Sequence, residues 1–99
     1  MTSREAFIAA NLQGIGLESF PDDSGVAWQL CSARHEGDYS LVEAEPRPAT
    51  VGYPRFRFVL HFDALGRGTC VGCYALAAGR WDLLFTTPGA PTDWQRLFS

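Results

Sequence analysis

Residues 56–62 read Phe-Arg-Phe-Val-Leu-His-Phe, and no other stretch restricts the fold as strongly. An extended chain sends successive side chains to opposite sides. Phe56, Phe58, Leu60 and Phe62 therefore share one face, while Arg57, Val59 and His61, with Arg55 and Asp63 at the ends, take the other. A helix would scatter the same residues round its circumference. The run predicts a strand with one wholly apolar face, which must be buried against a second layer.

The flanking sequence is punctuated for more strands. Gly66-Arg67-Gly68 turns the chain into a run from Thr69 to Ala78, Gly79-Arg80 turns it again, and Trp81 to Thr87 completes a three-stranded meander. Upstream, Val26 to His35 and Asp38 to Glu45 form a hairpin around Glu36-Gly37, where Gly supplies the positive φ of a tight turn. Pro46 to Pro54 is a proline-rich loop.

Ahead of the strands, Thr2-Ser3-Arg4-Glu5 carries the reciprocal Thr and Glu pattern that starts helices. Ala6 to Leu12 continues the helix, with Phe7, Ile8 and Leu12 as buried positions, and Gly14 ends it. Ile15, Leu17 and Phe20 then form an apolar connector to the turn Pro21-Asp22-Asp23-Ser24-Gly25. A short terminal helix is expected over Thr92 to Phe98. Ninety-nine residues make one domain. The expected fold over residues 1–99 is α+β, an N-terminal helix and a short C-terminal helix packed on a roughly five-stranded antiparallel meander sheet.

Register assigns faces. If Asp63 lies opposite Thr69 and Ala78 opposite Trp81, the apolar face gains Cys70, Gly72, Tyr74, Leu76 and Ala78, then Trp81, Leu83 and Phe85. Cys70 and Cys73 then point to opposite sides with Cα atoms ~10 Å apart, beyond the roughly 7 Å that a disulfide tolerates. A Cys-x-x-Cys redox centre also needs a helix after its first Cys, and here a strand follows. Cys31 and His35 with Cys70 and Cys73 have the right types for zinc. A Cys-x-x-Cys knuckle, however, needs a tight turn at Val71-Gly72, which strand alternation forbids, so no metal is assigned.

The second face then holds Arg55, Arg57, Val59, His61, Cys73, Ala75 and Leu84, too apolar along its middle strand for a plain solvated surface. The expected occupant is another protein or a second copy of this chain, anchored by Arg55 and Arg57 beside the loop at Val51, Gly52 and Tyr53. One alternative covers the face with the chain's own Trp94, Leu97 and Phe98. Another is a small-molecule pocket between helix and sheet lined by Trp28, Tyr39, Glu43 and Glu45, since paired carboxylates beside aromatic rings suit acid–base chemistry.

Other function classes find less footing. A net charge of −3 and a pI near 5.2 speak against nucleic acid or an anionic membrane as partner. No segment reaches the ~18 apolar residues of a membrane helix, and Arg4 and Glu5 stand where a secretory signal would be apolar. Three cysteines, an odd number, fit reduced thiols. A cytoplasmic location follows from these expectations. His35 and His61 have no nucleophile at motif spacing, and Gly66-Arg67-Gly68 lacks the helix N-terminus of a phosphate loop. The expectation is a small non-enzymatic, bacterial-type binding protein, self-associating and without a cofactor.

Overall fold

A computed structural model describes residues 3–48 and 52–90. Thr2, Val51, the terminal helix expected over Thr92 to Phe98, and the cover by Trp94, Leu97 and Phe98 lie outside the described residues. Helix α1 (Ser3–Ser19) is followed by a single 3₁₀ turn (Pro21–Asp23) and strands β1 (Ala27–Glu36), β2 (Tyr39–Arg47), β3 (Phe56–Phe62), β4 (Gly68–Ala77) and β5 (Arg80–Thr86). All neighbouring strands are antiparallel, and spatial order equals chain order, β1-β2-β3-β4-β5, in an open sheet. The α+β reading holds, with β3 at the centre. Among the described residues no helix is long and apolar enough to cross a membrane.

Gly14 does not end the helix. Ile8, Leu12 and Ile15 are buried at i, i+4 and i+7, so the apolar stripe runs past Gly14 and the helix follows it to Ser19. The last turn closes by Phe20 N donating to Gly16 O at 2.9 Å. Phe7 is only half-buried, edge-on to Phe62 with ring centres 5.5 Å apart.

Gly16 sits directly on the indole of Trp28, where any Cβ would overlap the ring. That indole meets Phe56 and Phe58 edge-on at 5.2 Å each and stacks near Phe20 at 5.9 Å. Around this cluster, Ile8, Leu12 and Ile15 of α1 bury Val42, Ala44, Phe56, Phe58, Leu60, Phe62, Cys73 and Ala75 of the sheet. Only glycine lets the helix come this close.

Three one-residue bulges break the alternation that sequence alone suggests. On β1, Leu30 pairs with Ala44 and Ser32 with Glu43, leaving Cys31 as the extra residue. On β4, Gly72 faces Val59 while Cys70 faces Leu60, which leaves Val71 unpaired; on β5, Leu84 is left over between Leu83 and Phe85. Each extra residue exchanges the two faces for the rest of its strand. Cys73 and Ala75 are consequently in the core beneath α1, not on the second face. Cys70 and Cys73 point to the same side. In exchange, Tyr74 and its partner Leu83, and Leu76 and its partner Trp81, move from the expected core to the second face.

Candidate functional site

The side of the sheet away from α1 divides into a charged half and an apolar half. Glu43 and Glu45 project from β2, and Arg57 stands directly across from Glu43 on β3. Arg57 Nε donates to Glu43 Oε1 at 3.0 Å, and Arg55 spans both carboxylates, donating to Glu43 Oε2 at 3.0 Å and Glu45 Oε1 at 2.7 Å. Arg47 Nη2 closes the row on Glu45 Oε2 at 3.2 Å. The result is an alternating ladder, Arg57–Glu43–Arg55–Glu45–Arg47.

Exposure decides which sign the ladder presents. Side chains of Glu43 and Glu45 are 16% and 25% exposed, against 34%, 41% and 62% for Arg57, Arg55 and Arg47. Carboxylates lie underneath and guanidinium groups outside. Arg57 also stacks over Trp81 with its central carbon 4.1 Å from the ring centre, a cation–π contact that links the ladder to the apolar half.

In that half, Leu41, Val59 and Tyr74 are buried under Tyr39, Val71, Trp81 and Ala90. Leu83, 49% exposed, and Leu84 lie at the β5 edge. After β5 the chain doubles back over this face: Thr87 N donates to Val71 O at 2.9 Å and Ala90 N to Thr87 O at 3.2 Å. A cleft of about 310 Å³ opens between this turn and the Tyr39–His61 ring pair, whose centres are 5.1 Å apart.

Of the residues expected on this face, Arg55, Arg57, Val59 and His61 are brought together. Val59 is fully buried and supports the surface instead of contacting a partner. Leu84 is exposed as the bulged residue of β5. Sequence reasoning missed Trp81, Leu83 and Tyr74. It also missed Glu43 and Glu45 as partners of the arginines, although Glu43-Ala-Glu45 and Arg55-Phe-Arg57 carry opposite charges at the same period on consecutive strands.

The expected pocket between helix and sheet does not form from its four residues. Trp28 fills the core beneath α1, whereas Tyr39, Glu43 and Glu45 project from the other side of the sheet. The bulge at Cys31 is the cause, since it pairs Trp28 with Pro46 where unbroken counting from Ser32 and Glu43 pairs it with Arg47, on the carboxylate side.

Among the described residues, the His35–Ser40 pair and the three cysteines are placed unproductively for catalysis. His35 Nδ1 lies 2.7 Å from Ser40 Oγ, but Ser40 is fully buried, so its hydroxyl is out of reach of a substrate. Burial pushes the thiols of Cys70 and Cys73 above their ordinary range, and burial with the Glu45 carboxylate does the same for Cys31. All three stay protonated and poorly nucleophilic at neutral pH. Among the described residues no three His, Cys, Asp or Glu side chains converge on a metal position. Comparison with protein families, with curated proteins and with solved structures yields no match to this chain.

The ladder has a pH signature. The hydrogen bond from Arg55 holds the Glu45 carboxyl below its ordinary value, and the Arg67 backbone N–H does the same for Asp63 in the β3–β4 turn. A depressed folded-state pKa contributes stability that is present above the unfolded value and lost as pH falls through the folded one. Urea midpoints should therefore drop as pH falls below the ordinary carboxylate range of about 4 to 4.5. Glu45→Gln should flatten part of that drop; an unchanged slope would remove the ladder's role in acid stability.

Proposed function

We propose that this chain is a non-enzymatic protein-binding domain whose second sheet face receives an extended, acidic and partly apolar segment of another protein. The observation that carries the reading is the outward set of guanidinium groups, three arginines over two tucked carboxylates, beside the Trp81 and Leu83 strip. This excess of positive charge sits on a chain whose net charge is −3, so it selects a carboxylate-bearing partner. Arg and Trp are also the side chains that most often anchor interfaces.

Fluorescence anisotropy with labelled peptides of alternating Glu and Leu, and with the same peptides carrying Lys for Glu, tests this. The Glu series should bind, weaken with added salt, and lose at least about tenfold in affinity on Leu83→Asp or Arg57→Ala. Equal binding of the Lys series, or indifference to both substitutions, would sink the proposal.

A further inference from the structure

The hydrogen-bond phase of the sheet shows which backbone groups of the edge strand β1 face outward. Phe62 N donates to Asp38 O at 2.8 Å, so the even-numbered residues of β2 bond to β3. Its odd-numbered residues, Tyr39 through Arg47, are left for β1, where they pair with Glu36, Arg34, Ser32, Gln29 and Ala27. The N–H and C=O of Trp28, Leu30, Ala33 and His35 consequently point away from β2. Among the described residues β1 has a strand neighbour on one side only.

Helix α1 closes both ends of this edge. The Gln13 amide acts as a surrogate strand at Trp28, its Oε1 accepting from Trp28 N at 2.7 Å and its Nε2 donating to Trp28 O at 2.6 Å. At the far end Arg4 Nη2 donates to Gly37 O at 2.6 Å, and Nη1 to Tyr39 O at 3.3 Å. Between the clamps lies an open window of Leu30, Ala33 and His35. Because Cys31 is the bulged residue, Leu30 is two ladder steps before Ala33, just as His35 is two steps after it. The clamped positions Trp28 and Gly37 are one further repeat away on either side. The window is thus symmetric about Ala33.

We propose that this window is a strand-addition site for a second copy of the chain, antiparallel across a two-fold axis at Ala33. Ala33 then pairs with Ala33 of the second copy, and Leu30 with His35 in both directions, each pair exchanging two backbone hydrogen bonds. Charge selects this register. Arg34 lies opposite Ser32 of the second copy and Glu36 opposite Gln29. Centring on Arg34 would set the two Arg34 side chains face to face, which is destabilising. Leu30, 42% exposed, gains the ring of the second copy's His35 as cover. The two sheets fuse into a ten-stranded one, with both α1 helices on one side and the two second faces side by side on the other. This inference is independent of what the second face binds.

Light scattering and analytical centrifugation of the full chain test it. A dimer is expected, and Ala33→Pro, which removes an outward N–H and leaves the β1–β2 bonds intact, should raise its dissociation constant roughly a hundredfold or more. Leu83→Asp should leave the dimer unchanged, which separates this contact from docking on the second face. Since the proline variant can misfold, a second measurement fixes the register. With Cys31→Ser as background, the pair Ser32→Cys and Arg34→Cys should form an intermolecular disulfide, and Arg34→Cys alone should not. A monomer at every concentration, a dimer lost on Leu83→Asp but not on Ala33→Pro, or cross-linking by Arg34→Cys alone would each overturn the proposal.

Discussion

Ala75→Asp is expected to unfold the domain, whereas Leu83→Asp should leave it folded. Ala75 is fully buried opposite Phe56 in the cluster under α1, and its neighbour on β5 is Asp82, a like charge for an introduced carboxylate. A carboxylate there loses its water without compensation, a cost of about 4 kcal/mol or more. For a domain of this size that lowers the melting temperature by roughly 20 °C, against a total stability of about 5 to 15 kcal/mol. Leu83 faces outward at the sheet edge, and an aspartate there should cost only about 1 kcal/mol. Strict strand alternation makes the opposite forecast, with Leu83 in the core and Ala75 outside. Thermal melts of the two variants therefore test the bulges at Val71 and Leu84 directly, and a folded Ala75→Asp would show that β4 is out of register.

The second large effect is a change of sign between two glycines two residues apart on the helix. Gly14 has open space where its Cβ would stand, so Gly14→Ala should stabilise by about 0.5 to 1 kcal/mol through helix propensity alone. Gly16→Ala gains the same propensity but drives a methyl into the Trp28 indole, which is wedged among Phe20, Phe56 and Phe58 and cannot swing aside. Overpacking of this kind costs about 1 to 3 kcal/mol, and the rigid surroundings place Gly16→Ala at the upper end. Urea titration of the two variants should move the midpoint in opposite directions. Trp28→Leu in the Gly16→Ala background should recover part of the loss, because the new methyl then has room. A neutral Gly16→Ala would mean that helix and sheet are not locked together at this contact.

Sequence logic reached the layers of this fold but not its parity. The period-two pattern of Phe56 to Phe62 identified the central strand and its buried face, since β3 itself carries no bulge. The turn residues located every hairpin within a residue or two, as Ala78 and Gly79, both at positive φ, illustrate. Face assignments, by contrast, accumulate along a strand, so one unpaired residue reverses everything beyond it. Val71 and Leu84 carry no side-chain mark of a bulge. Cys31 is equally silent, and it moved Trp28 from the expected carboxylate pocket into the core. Gly14 misled for a different reason, because glycine's preference for helix ends was outweighed by the burial of Ile15 one residue later. Arg55 and Arg57 were legible because they lie at the start of β3, ahead of any bulge. Their apolar neighbours were not, because they sit beyond bulges.

The meander order has a consequence for how the chain is made. Each strand leaving the ribosome can pair at once with the strand before it, so the sheet grows from β1 outward by local hairpins of low contact order. Helix α1 is synthesised first, yet the central core strand, the one bearing Phe56 and Phe58, follows about forty residues later. During that interval Gln13 and Trp28 are the first long-range partners the helix can find, which makes the clamp on the edge strand also the earliest anchor between the two layers.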